Sequence, residues 1–201
     1  MAIEIIPRQY DGGKSDNSYS VNCNSKPDAI DLYQRSVEKL LDVNNWEEIS
    51  IGIIKAAFNL CDKFGNEVDR PPQEEDYFKI DIPGPGSVNG EGYDWVQVEN
   101  IIAENDPVND TDQISIMVRP ASCPLNSKES IAHFFSDSST STFLIKREKT
   151  VVTAEIHGRN EKPNHQRENT VEIIRNKVVA TGAMLSFSDF QWKQLAIGFL
   201  S

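Results

Sequence analysis

The stretch Gln113-Ile114-Ser115-Ile116-Met117-Val118-Arg119 sets Ile114, Ile116 and Val118 at every second position against Ser115, Met117 and Arg119. That is the two-residue period of a strand with one buried face. Working outward, residues 77–82 repeat it, with Phe78, Ile80 and Ile82 against Lys79 and Asp81. Residues 93–103 follow less cleanly, around Trp95, Val96 and Val98 against Gln97 and Glu99. Gly, Pro, Asn and Asp turns join these short runs, which predicts a small antiparallel sheet or a partly closed barrel.

Beyond this centre the period changes. Ser25-Lys26-Pro27-Asp28 has the form of a helix start, and Ile30, Tyr33, Val37, Leu40 and Leu41 then recur at helical steps until Asn44 and Asn45. Residues 46–64 fit either period, and the density of isoleucine together with a turn-like Asp62-Lys63-Phe64-Gly65-Asn66 favours a strand. After Pro120, a short helix is expected over 127–135. A hairpin follows, 142–147 with 150–157, turning at Glu148-Lys149. A helix from about Asn169 to Gly182 and a last one from Ser188, carrying Phe190, Trp192, Leu195, Phe199 and Leu200, complete the chain. The predicted class is α+β: the sheet packed with an N-terminal helix and a C-terminal hairpin plus two helices. Residues 10–26, rich in Asp, Gly, Ser and Asn, read as a flexible arm, so that 1–25 is tail and 26–201 one domain, with a possible sub-boundary near 120–127.

Charge is distributed unevenly. Of 31 acidic and 20 basic residues, fourteen acids and three bases lie between Asp62 and Asp112, a local balance of −11 equal to the net charge of the whole chain. Such a segment repels phosphate backbones, which argues against a nucleic acid partner. Residues 113–201 carry eleven bases against eight acids and can pair with it, within one chain or between subunits. The ordinary alternative is a solvated surface. No apolar run reaches membrane-spanning length and no export signal opens the sequence, so a cytoplasmic protein with no membrane association is expected. Cys23, Cys61 and Cys123 match no metal spacing and fit reduced thiols.

The densest set of reactive side chains is Glu155, His157, Arg159, Asn160, Glu161, Asn164 and His165, at the end of a predicted strand and the bend after it. A histidine beside a glutamate can move protons near neutral pH, which makes Glu155, His157, Arg159 and Glu161 the first candidates for catalysis. His133, among Ile131, Ala132, Phe134 and Phe135, joins them only if the fold brings the two segments together; by itself it is an ordinary buried histidine with a hydrogen-bond partner. The eight-residue interval from His157 to His165 fits no helical zinc pattern, and no metal and no cofactor is expected. Cys123 lacks an evident base, and the oxygen-rich Asp106, Asn109, Asp110 and Asp112 depart from an EF-hand loop. Two functions follow: first, a non-enzymatic interaction or accessory protein whose acidic surface meets a protein partner or a second copy; second, a hydrolase-like enzyme or small-ligand binder using the 155–165 cluster.

Overall fold

A computed structural model describes residues 5–50, 56–82, 87–127, 129–164 and 185–201. Seven strands form one open antiparallel sheet in the order β1-β7-β6-β5-β4-β3-β2: β1 (Gly13–Asn22), β2 (Ala57–Cys61), β3 (Tyr77–Asp81), β4 (Asp94–Asp106), β5 (Thr111–Pro120), β6 (Thr140–Glu148) and β7 (Val151–Glu161). Helix α1 (Lys26–Leu41), a 3-10 turn (Val43–Asn45), α2 (Trp46–Ile49) and the C-terminal α3 (Leu185–Phe199) are the described helices. The predicted sheet is therefore larger than expected, because the hairpin β6–β7 continues it instead of standing apart.

The alternation of Ile114, Ile116 and Val118 holds: all three are buried on the helix side of the sheet. Val152, Ala154 and Ile156 of β7 and Phe143 and Ile145 of β6 share that face. Trp46 sits at its centre, with ring centroids of Phe143, Phe58, Phe78 and Phe199 at 4.7, 5.3, 5.5 and 5.6 Å. Burying aromatic side chains of this size contributes about 1.5–3 kcal/mol each, before edge-to-face terms. Gly198 lets α3 approach α2, since a Cβ there would stand 2.2 Å from the Ile49 carbonyl oxygen.

Helix α1 begins as expected. Ser25 Oγ accepts the Asp28 N–H at 3.3 Å and donates to the Asp28 carboxylate at 2.7 Å, with Pro27 in the first turn. Ala29, Leu32, Ser36 and Leu40 are its buried residues, with Tyr33, Val37 and Leu41 packed beside them.

Four expectations are corrected. Residues 13–22, expected in a flexible arm, are the edge strand β1, paired along its length with β7 from Gly13↔Glu161 to Asn22↔Val151; Ser and Asn satisfy a ladder through their backbone whatever their side chains prefer. Residues 46–64 hold both structures in turn, α2 and then β2. Residues 127–135 form no helix among the described residues, but bends tied down by the bridges Ser122↔Ile131 and Phe135↔Pro163. Phe190 is exposed, while Leu195, Phe199 and Leu200 are buried as expected. The helix expected over 169–182 lies outside the described residues, as do His165 and residues 83–86.

The acidic middle segment is partly neutralised within the chain. Arg119 pairs with Glu99. The buried Arg147 reaches Asp112 at 2.6 Å and Asp110 at 2.9 Å, and Lys26 reaches Asp110 at 2.8 Å. Arg70 meets the buried Asp76 at 2.6 Å. Asp106 caps the β4–β5 turn by accepting the N–H of Val108 and of Asn109, so the oxygen-rich loop is a turn whose carboxylates already have partners.

Candidate functional site

Strand β7 decides where the candidate residues go. Val152, Ala154 and Ile156 face the helices, so Glu155, His157 and Arg159 face the other way. There His157 stands opposite Asp16 of β1 and Thr142 of β6. Its Nδ1 lies 2.5 Å from Asp16 Oδ1 and its Nε2 2.7 Å from Glu155 Oε2. Arg159 donates to the same Asp16 oxygen at 2.6 Å and to the Ser15 carbonyl at 3.0 Å, and Lys14 reaches Asp16 at 2.9 Å. An imidazolium, with two N–H donors, satisfies both carboxylates. Burial pulls the His157 pKa down, but the hydrogen bonds to Glu155 and Asp16 more than offset this and leave it raised. Burial likewise raises that of Asp16, and His157, Lys14 and Arg159 together hold it well below the usual carboxylate range. The result is a closed lattice of charge pinning an edge strand.

Glu161 departs from this group. Ser15 pairs with Gly158 but Gly13 with Glu161, so two residues of β7, Arg159 and Asn160, oppose one of β1, Lys14. This is a bulge, and Asn160 occupies it at φ 54°, a left-handed conformation that asparagine tolerates better than most residues. Asn160 also holds the chain before β1: its Oδ1 accepts from the N–H of Tyr10 at 2.7 Å and its Nδ2 donates to the Arg8 carbonyl at 3.1 Å. The extra residue reverses the alternation, and Glu161 turns under the sheet to the helix side. Its Oε1 accepts from Ser15 Oγ at 3.2 Å, in space that only a glycine at 158 leaves open, since a Cβ there would stand 2.0 Å from that oxygen.

On the helix side Glu161 lines a cavity of about 50 Å³ whose wall also includes His133, Ser141, Phe134, Phe143 and Trp192. Phe58, Phe78, Ile80, Val96, Val118 and Phe135 complete its apolar lining. His133 is buried, stacked on Phe134 with centroids 4.2 Å apart. Its Nδ1 accepts the Phe135 N–H at 3.0 Å, so in the neutral ring the proton is on Nε2. Asn164 sets the loop that carries it: its Nδ2 donates to the carbonyls of Ile131 and His133, each at 3.0 Å, and its N–H to the Phe134 carbonyl at 2.8 Å.

The structure thus brings His133 and Glu161 to one cavity and leaves Glu155, His157 and Arg159 on the opposite face. Ser141 is the polar lining residue that the sequence did not single out, and no local pattern marks it; the sheet register sets it opposite Gly158. Among the described residues no group of three or more His, Cys, Asp or Glu side chains is arranged to hold a metal ion. Cys61 and Cys123 are buried, and burial raises the pKa of both, Cys61 to about 11. Neither is an activated nucleophile. No helix among the described residues is long and apolar enough to cross a membrane.

No protein-family model and no curated protein is similar to the sequence. Among solved structures, norcoclaurine synthase from Thalictrum flavum is similar at 8% identity, over 98% of each chain, with a TM-score of 0.36. The protein Ara h 8.0201 is similar at 11% identity over 94% of this chain and 99% of its own, TM-score 0.31. Major latex-like protein 151 from Panax ginseng is similar at 12% identity over 85% of this chain and 94% of its own, TM-score 0.30. These superpositions are loose and say nothing of what this chain binds.

Proposed function

We propose that this protein binds a small ligand with an apolar end and a cationic or hydrogen-bond-donating head, in the cavity between the sheet and the C-terminal helix. The observation that carries this is the lining itself: a predominantly apolar and aromatic wall with Ser141, His133 and the Glu161 carboxylate as its polar members, the composition of a small-molecule site. At about 50 Å³ the space is smaller than the roughly 150 Å³ that accepts benzene in an apolar cavity. Only the tip of a ligand enters, a short aliphatic end or the edge of a ring.

The reading is one of binding. Proton transfer by His157 and Glu155 would require substrate on the outer face, where the two are engaged with each other and His157 also with Asp16. Ligand-observed NMR with butylammonium, butanol and butyrate tests the proposal. Butylammonium and butanol are expected to bind in preference to butyrate, and Ser141→Leu, which fills the cavity, is expected to abolish binding while the circular dichroism spectrum is kept. Equal binding of all three, or binding unchanged by Ser141→Leu, contradicts it.

A further inference from the structure

A second surface is built from three segments on the outer side of β2–β4. Cys61, Trp95, Cys123 and Ala132 form a small separate core there. The segment after β2 packs on the one after β5: a Cβ at Gly65, which has φ 85°, would stand 2.5 Å from Leu125 Cδ2 and 3.1 Å from Pro124 Cγ. The segment before β4 is joined to the same place, with Asn126 Nδ2 donating to the Asn89 carbonyl at 3.1 Å. Each of the three presents an apolar side chain to solvent: Phe64 is 67% exposed, Val88 50% and Leu125 48%. A single exposed apolar residue is ordinary, but several on mutually packed loops have the form of a contact patch.

The rim is acidic. Arg70 and the buried Asp76 cancel each other at 2.6 Å, which leaves seven acids on residues 62–76, 87–92 and 121–130, Asp62, Glu67, Asp69, Glu74, Glu75, Glu91 and Glu129, against Lys63, Lys128 and the neighbouring Lys79, which reaches Glu67 at 2.9 Å. The difference, 7 − 3, leaves four negative charges. Glu91 is close enough to raise the pKa of Cys123, as are Glu67 and Asp62 that of Cys61. From this we infer that the patch docks a basic amphipathic segment of another protein, apolar side chains meeting Phe64 and Leu125 and lysines or arginines meeting the rim. A second copy of this chain fits poorly, since it brings the same acidic patch and a net charge of −11.

The experiment is a titration by fluorescence anisotropy with a labelled helical peptide of leucine and lysine, compared with polylysine of equal charge and with a leucine–glutamate peptide. The leucine–lysine peptide is expected to bind, more weakly as salt rises, and the leucine–glutamate peptide not to bind. Phe64→Ser with Leu125→Ser is expected to weaken the leucine–lysine peptide about tenfold, roughly the loss of 1.4 kcal/mol, and to leave polylysine unchanged. Val88→Ser alone is expected to act in the same direction. Val108→Ser, at a turn residue 91% exposed, is the control and changes nothing. Equal affinity for the two cationic peptides, equal weakening by Val108→Ser, or self-association that is lost in the double variant overturns the inference. Ser141→Leu should leave this binding intact, so failure here is distinguishable from failure of the cavity reading.

Discussion

His157 holds two carboxylates from two strands, and this makes β1 sensitive to pH from both sides. Its folded pKa is raised, so the stability it contributes is complete below the unperturbed value of about 6.5 and is lost as pH rises through the folded value. Asp16 has the opposite sign. Its folded pKa is lowered, so its contribution is present above about 3.9 and disappears as pH falls through the folded value. Urea midpoints measured across the alkaline side should fall for the natural chain and stay flatter for His157→Gln; parallel curves would show that the lattice is inert. At Asn160, replacement by Ala forfeits three side-chain bonds to the chain before β1 and places a less tolerant residue at positive φ. A loss of about 1–2 kcal/mol in denaturant unfolding is expected.

At the scale of elements, the β4–β5 and β6–β7 turns are joined through Arg147, whose guanidinium is buried between Asp110 and Asp112. Arg147→Met leaves Asp112 without its cation and Asp110 with Lys26 alone, and a loss of about 2–3 kcal/mol is expected by thermal or urea unfolding; no loss would mean that Lys26 suffices. The elements also show what was legible in the sequence. Helix α1 and the strands β3 and β5 carry their period openly, because one face of each is the more buried and the side chains follow. Strand β1 does not: its burial is slight, Ser and Asn line it, and only pairing with β7 makes it a strand. The missing helix at 127–135 has a similar cause, as bridges to Ser122 and Pro163 and the Asn164 bonds take the backbone groups a helix would have used.

For the whole molecule, the candidate cluster was half legible. Glu155 and His157, two residues apart on a predicted strand, do share one face, but Glu161, expected in the bend after it, is still in β7, and one inserted residue at Asn160 puts it on the other side of the sheet. Nothing local in the residues around Asn160 announces a bulge, since it depends on the register with a strand more than a hundred residues earlier in the chain. His133 reaches the cavity by the long-range bridges of its loop, equally invisible to local pattern. The bulge divides the cluster, and on the proposed reading of the cavity it makes Gly158 and Glu161 the determinants of its preference. The most direct measurement is the ratio of butylammonium to butyrate binding in Glu161→Gln, Gly158→Ala and Glu155→Gln. The first two should erase the preference for the cation, Gly158→Ala by displacing the carboxylate, while Glu155→Gln leaves it as in the natural chain. Loss of the preference in Glu155→Gln with Glu161→Gln unaffected would contradict the account.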